Sequence, residues 1–277
     1  MYLRTAVIVV WISMTAWLVR YEAFPELFTH TVSGYKGLLS KELLISDSWM
    51  KIMFRGAGIG YSHSSMDINE NDTREHYLIN NRVHIAFSVA GTRKNIHVLS
   101  TVILDVEYNL RRFSFSMSSP FTTVKVEGVH VKDSNYDVII VTPSGTNNTT
   151  VHIPDDALLY SPISETALKQ LKPGQQISIS TVDPVSFRKT NLLFHGLRQE
   201  RIKLSGEEID TVVVGTEYNG IKIFSWLDGN GKVVRQDSQI GWTMQKCTPE
   251  EAYDATLSPG TSDEMIRNIM PFFLSQE

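Results

Sequence analysis

The stretch Phe113-Ser114-Phe115-Ser116-Met117-Ser118 alternates apolar and hydroxyl side chains without a break. Successive side chains of a strand point to opposite faces, so Phe113, Phe115 and Met117 share one side and the serines the other. One side in a core and one in water is the habit of antiparallel sheets, whereas parallel sheets are covered on both faces. In Val124-Lys125-Val126-Glu127-Gly128-Val129-His130-Val131 the apolar phase slips by one at Gly128. Such a slip predicts a β-bulge there, and with it a curved sheet.

The same period extends in both directions. Upstream, residues 49–54 and 59–68 flank Arg55-Gly56-Ala57-Gly58, and further strands are predicted over 73–79, 82–90 and 95–104. Downstream, 136–142 and 148–153 enclose a turn with Pro143, Gly145 and Asn147. A second strand-rich stretch covers 175–182, 192–200, 209–217, 221–227, 232–237 and 240–246, with Asn219-Gly220 and Asp228-Gly229-Asn230-Gly231 as hairpin turns. Two helices interrupt this pattern. Ser161 as N-cap, Pro162 at the first helical position and Pro173-Gly174 as the stop predict one, with Ile163, Ala167, Leu168 and Leu171 on the side packed against a sheet. Thr248-Pro249-Glu250-Glu251 is a capping box that opens a short terminal one.

Residues 5–19, TAVIVVWISMTAWLV, carry no charge and are bracketed by Arg4 and Arg20. A span needs roughly 20 apolar residues, so this one requires Tyr2, Leu3 and residues 21–24 to extend it while the arginines snorkel outwards. No small-x-small cleavage site follows, which favours an anchor over a cleaved signal peptide. The expected layout is a membrane anchor over 1–24, a juxtamembrane spacer over 25–48 and a β-rich extracytoplasmic domain over 49–277. The expected fold class is mainly β: an N-terminal transmembrane helix, then a large curved antiparallel sheet with one packed helix and short C-terminal helices. Arg4 and the α-amino group place the N-terminus in the cytoplasm and the bulk in the periplasm or outside the cell.

Lys and Arg total 26 against 30 Asp and Glu, a formal charge of −4 with no basic block to follow a phosphate backbone, so nucleic acid is not an expected partner. The single Cys247 excludes an intrachain disulfide and a cysteine-rich zinc site.

The ordered landmarks Trp49, Gly58-Ile59-Gly60-Tyr61, Leu171-Lys172-Pro173-Gly174-Gln175, Val182-Asp183-Pro184, Trp226-Leu227-Asp228-Gly229-Asn230-Gly231 and Thr248-Pro249-Glu250-Glu251-Ala252 resemble the β-rich accessory region that precedes the catalytic domain of bacterial transglutaminase-like membrane proteins. In that family a Cys, His and Asp triad follows the capping-box helix, but here only residues 256–277 remain. The resemblance implies a non-catalytic module in a bacterial cell envelope.

Individual residues point the same way. Cys247, between a strand and a capped helix, is a candidate thiol nucleophile only if a histidine approaches it, and otherwise a small core residue. His63, His76, His84 and His97 lie on the first meander without the spacing of a zinc motif. Asp67, Glu70, Asp72 and Glu75 surround a turn but lack the glycine and glutamate of a calcium loop. Gly56-Ala57-Gly58-Ile59-Gly60 sits between strands rather than before a helix, so it reads as turn geometry and not as a phosphate cradle. Asn71-Asp72-Thr73, Asn147-Asn148-Thr149 and Asn148-Thr149-Thr150 are glycosylation acceptors in a eukaryote and polar turns in a bacterium. No catalytic, cofactor-binding or metal-ligating set emerges. The expectation is a non-enzymatic protein held to the membrane by residues 5–19, its curved β domain binding a partner protein, a lipid or a polymer. The alternatives are a Cys247-dependent transglutaminase-like or peptidase enzyme, and an accessory subunit of a membrane complex.

Overall fold

The computed structural model describes residues 2–18, 29–39, 46–89, 92–159, 168, 171–218 and 220–257. Along the chain these form α1 (Tyr2–Leu18), β1 (Thr29–Val32), α2 (Gly34–Leu38), β2 (Ser46–Phe54), β3 (Ala57–Ile68), β4 (Tyr77–Val89), β5 (Thr92–Leu104) and β6 (Leu110–Ser118). Then come β7 (Thr123–Lys132), β8 (Asn135–Thr142), β9 (Gly145–His152), β10 (Leu158–Leu159), β11 (Gln176–Val182), β12 (Lys189–Leu204) and β13 (Glu207–Tyr218). The last elements are β14 (Ile221–Leu227), β15 (Val233–Ser238), β16 (Trp242–Lys246) and α3 (Pro249–Leu257).

Local chemistry sets the turns. Arg55 and Gly56 both have positive φ, at 49° and 85°, the geometry that lets a two-residue turn follow the twist of β2 and β3. Ser205 and Gly206, at 48° and 90°, do the same between β12 and β13. Two meanders result, β2 to β9 and β11 to β16, and the pairing of β16 with β2 fuses them, with Trp242 opposite Phe54 and Lys246 opposite Met50. The product is one 16-stranded sheet that runs from β1 to β9, with β10 pairing β11 beside this path. It is antiparallel except where β1 and β10 lie parallel to β11. β1 belongs to the stretch read above as a spacer.

Register shifts at Ile52/Met53, Ile103/Leu104, His130/Lys132, Gly196/Arg198 and Trp226/Leu227 bend the sheet. Its two ends thereby share one core, in which Phe113, Val126 and Val138 cluster with Ile177, Ile179, Leu192 and Phe194. Phe113 meets Phe187 across this space with ring centroids 6.3 Å apart. Each such side chain contributes about 1.5–3 kcal/mol on burial, so the curl is maintained by apolar contact between strands far apart in sequence. A second cluster, Ile52, Phe54, Ile59, Ile85, Phe87 and Ile96, fills the same inward face further along. Between them Asn81 donates to the Ser64 hydroxyl at 2.8 Å.

Three expectations change. α1 spans 17 residues, about 25 Å at 1.5 Å per residue against roughly 30 Å of hydrocarbon. No helix among the described residues is long and apolar enough to cross a membrane. The single-pass anchor over residues 5–19, and the cytoplasmic N-terminus and exported bulk that rested on it, are therefore overturned. Gly128 is not a bulge: it pairs in continuous register with Phe113 and Val138. A Cβ there would fall inside the Phe113 ring, so glycine is required by close packing. Finally, the strands predicted over 73–79 and 82–90 are one strand, β4, running through Asn80 and Asn81. The helix predicted after Ser161 lies outside the described residues except for Leu168, which is buried.

The terminal helix forms as its capping box requires. Glu251 donates its backbone N–H to Thr248 Oγ1 at 3.3 Å, and Thr248 donates its own to Glu251 Oε2 at 3.2 Å. α3 lies on the outer face of β2 and β3, close enough that a Cβ on Gly58 would touch the Ala255 backbone at 3.0 Å. Arg93 of β5 donates to the Thr256 carbonyl at 2.7 Å, placing a cation at the negative end of the helix.

Candidate functional site

Cys247 bridges β16 and α3, its backbone N–H donating to the Trp49 carbonyl at 3.0 Å. Burial pushes its thiol above the ordinary range and the nearby Glu251 carboxylate adds to this, against a smaller opposing effect of Lys51. Proximity to a helix N-terminus does not activate it: the local environment favours the thiol, the non-nucleophilic form.

His63, His84 and His97 belong to an aromatic row on the outer face beside α3, whereas His76 lies apart from it. His63 stacks on Trp49 with centroids 3.9 Å apart, and its Nε2 lies 2.6 Å from Asp47 Oδ1. Tyr253 of α3 closes over Trp49 and Tyr61 at 5.6 and 5.3 Å. His84 and His97, opposite each other in register, stack at 4.4 Å. His76 stands edge-on to Tyr77. Among the described residues no three His, Cys, Asp or Glu side chains are placed to hold a metal. Within the row His63 is engaged with Asp47 and His84 with Asn95, and the rings of Trp49 and Tyr61 help to seat α3 through Tyr253.

The acidic cluster is turn chemistry. Asp72 Oδ1 accepts the backbone N–H of Arg74 at 2.8 Å and of Glu75 at 3.2 Å, which holds its carboxyl below the usual range. Glu75 pairs with Arg112 at 3.2 Å. In the glycine run, a Cβ on Gly60 would collide with the His84 carbonyl, so this glycine permits two strands to approach.

The feature that stands apart is the open end of the sheet, β7 to β9. Asn147, expected in a turn, and Asn148, expected to begin a strand, both sit within β9, which pairs with β8 and with no other strand among the described residues. Gly145 to Thr150 are exposed on both faces of the sheet. Hydrogen-bonded pairs alternate along an antiparallel ladder, and the bond from Ile153 N–H to the Ser134 carbonyl at 2.9 Å fixes the phase. Tyr136 with Val151, Val138 with Thr149 and Ile140 with Asn147 are then the bonded pairs. The N–H and C=O groups of Thr146, Asn148 and Thr150 therefore face the free edge.

Natural edges are blunted by lysine, proline, bulges or a covering segment. From Gly145 to Val151 there is no charged residue and no proline. Beside this edge the outer face carries Val129, Val131, Ile139 and Val141 at 47, 57, 45 and 39 % exposure. The slip in apolar phase at Gly128 thus marks valines left on the outside, not a bulge. Charged neighbours separate them: Lys125 pairs with Glu127 at 2.7 Å, and Thr150 donates to Asp137 at 2.9 Å.

No family model matches this chain, and no curated protein matches it. Among solved structures it is similar to a β-barrel-like protein of the domain of unknown function DUF1849 from Brucella abortus, at 12 % identity and a TM-score of 0.49, over 74 % of this chain and 95 % of that one. It is also similar to a DUF1089 family protein from Pseudomonas aeruginosa, at 13 % identity and a TM-score of 0.35, over 62 % and 87 %. Neither is a transglutaminase-like accessory region, and the resemblance drawn from the ordered landmarks is overturned. In this chain those landmarks are largely turn, cap and close-packing chemistry.

Proposed function

We propose that this chain is a non-enzymatic protein-binding module that receives a partner's strand along the open edge of β9. The observation that carries the reading is the row of edge-facing backbone groups at Thr146, Asn148 and Thr150, on a strand exposed on both faces and free of charge and proline. An added strand satisfies such groups directly, and the alternating side chains beside it supply selectivity. Val129, Val131, Ile139 and Val141 offer apolar contact next to the new strand, with Lys125, Glu127 and Asp137 to reject wrong partners.

Two other readings have weaker support. A lipid carrier needs an empty concave face, but the inward face holds Phe113, Leu104, Ile179 and Val126 at 0–2 % exposure. A cysteine enzyme needs an activated thiol, and that of Cys247 is shifted the other way.

A photo-crosslinking residue placed at Asn148 in the full chain, expressed in its native cells, tests the reading. The expected result is a discrete protein adduct that is lost when Thr150→Pro removes an edge N–H, and that does not form from the same probe at the exposed Glu207, the first residue of β13. Adducts with lipid alone, or equal protein yields from the two positions, would overturn it.

A further inference from the structure

We infer that the strand received by β9 is β9 of a second copy of this chain, paired antiparallel about a two-fold axis through Asn148. This rests on the reading of β9 as a pairing edge and names its partner.

A two-fold axis perpendicular to an antiparallel sheet sets demanding conditions. The residue on the axis pairs with itself, and it does so through two hydrogen bonds when its own N–H and C=O both face the edge. Directly opposite residues share a face, so each outer-face residue meets an outer-face residue of the other copy. Asn148 satisfies the first condition, because its backbone groups point away from β8. The second brings Thr146 opposite Thr150 of the second copy, and Thr150 opposite Thr146. The outer row Thr146, Asn148, Thr150 is thus the same sequence in both directions, Thr-Asn-Thr. On the inner face Asn147 meets Thr149, again in both directions.

Each of these pairs is compatible with itself. Thr opposite Thr is a stabilising hydrogen-bonding pair across antiparallel strands, whereas like charges directly opposite destabilise. A single lysine or glutamate on the axis would repel its own copy, and the Gly145 to Val151 segment has none. The backbone groups of Thr146, Asn148 and Thr150 are also those left free by β8, so all three would form hydrogen-bonded pairs. Exposure of β9 on both faces leaves room for the second sheet to continue the first, with no covering element among the described residues in the way. A strand this short buries less than the roughly 1,200 Å² of stable complexes, so the dimer is expected to be weak and concentration-dependent.

Cysteine cross-linking of the full chain tests the register, in a Cys247→Ala background that leaves no other thiol. Hydrogen-bonded antiparallel partners have Cα atoms about 5.5 Å apart, within the 4.4–6.8 Å that a disulfide spans. Under copper-phenanthroline oxidation, Asn148→Cys is expected to form dimers at least roughly tenfold faster than Thr146→Cys or Thr150→Cys alone. An equimolar mixture of the last two is expected to cross-link as Asn148→Cys does. Sedimentation velocity of the untouched chain is expected to show a monomer–dimer equilibrium that Thr150→Pro moves to monomer. Equal cross-linking at all positions, or a chain that stays monomeric while the Asn148 photoprobe captures a different protein, would overturn the second copy. The latter result leaves the edge reading intact, and an Asn148 probe that captures no protein removes both.

Discussion

Ile153 donates its backbone N–H to the Ser134 carbonyl at 2.9 Å, and this bond fixes which backbone groups of β9 turn away from the sheet. Shifted by one residue, the ladder would present Asn147 and Thr149 at the edge in place of Asn148. A hydrogen-bonded two-fold pair would then centre on an inner-face residue, and the Thr-Asn-Thr row could meet itself only around a non-hydrogen-bonded pair. The position of the hairpin turn at Pro143 and Ser144 is thus what gives the edge its self-matching sequence.

Gly128 and Phe113 form a contact whose loss is measurable. Because a Cβ on Gly128 would enter the Phe113 ring, Gly128→Val is expected to destabilise the protein by about 2–3 kcal/mol, through overpacking of a filled core. Equilibrium denaturation in urea reads this as a lower midpoint. Adding Phe113→Leu is expected to recover part of the loss, as a coupled pair should.

Asp105 is nearly buried and accepts from the backbone N–H groups of Glu107 and Asn109, the Asn109 side chain and Arg111. Burial alone raises its pKa, but these donors outweigh burial and the net shift is downward. A carboxylate depressed in the folded state contributes stability that is present above its unfolded value near 3.9 and is lost as pH falls through the folded one. Asp105→Ala is expected to cost about 2–3 kcal/mol at pH 7, and distinctly less at pH 2, as read by denaturation at both values.

His84 shifts downward chiefly by burial, which outweighs the hydrogen bond its Nε2 donates to Asn95 Oδ1, with smaller contributions from His97 and Arg93. A folded pKa below the unfolded one near 6.5 means that the unfolded chain binds the proton more readily in this window. Stability is therefore fully present above pH 6.5 and declines as pH falls through the folded value. Imidazole resonances in a proton NMR titration are expected to place His84 below the ordinary histidine value, and His84→Gln to reduce the fall in midpoint between pH 7 and pH 5.

The Cys247 thiol, raised first by burial and then by Glu251, is expected to react slowly with a disulfide reagent at pH 7. Its rate should rise with pH beyond that of free cysteine and increase in Glu251→Gln. Fast reaction at neutral pH would restore the case for a thiol nucleophile.

Features set by neighbouring residues were legible in the sequence. The alternation from Phe113 to Ser118, the Arg55-Gly56 turn and the Thr248 to Glu251 capping box depend on chemistry within a few positions. Long-range relations were not. Nothing near Asn81 signals that Ser62 and Ser64 wait across the sheet to satisfy its amide, so Asn80-Asn81 read as a turn. Gly128 read as a bulge because the Phe113 ring that excludes its side chain belongs to another strand. The union of β16 with β2 and the parallel pairing of β1 with β11 join segments far apart in the chain. The open edge had a partial signal, the uncharged and proline-free run from Gly145 to Val151, but whether a strand lies at an edge is decided by which others pair.

Amide hydrogen exchange along β9 tests the central claim most directly. In dilute protein, the N–H groups of Thr146, Asn148 and Thr150 are expected to exchange rapidly, while those of Asn147, Thr149 and Val151 are protected by the ladder to β8. At high concentration, or with a bound partner, the first set is expected to become protected and the second to change little. Uniform protection of β9 in dilute protein would mean that its edge is already covered, and would contradict the account.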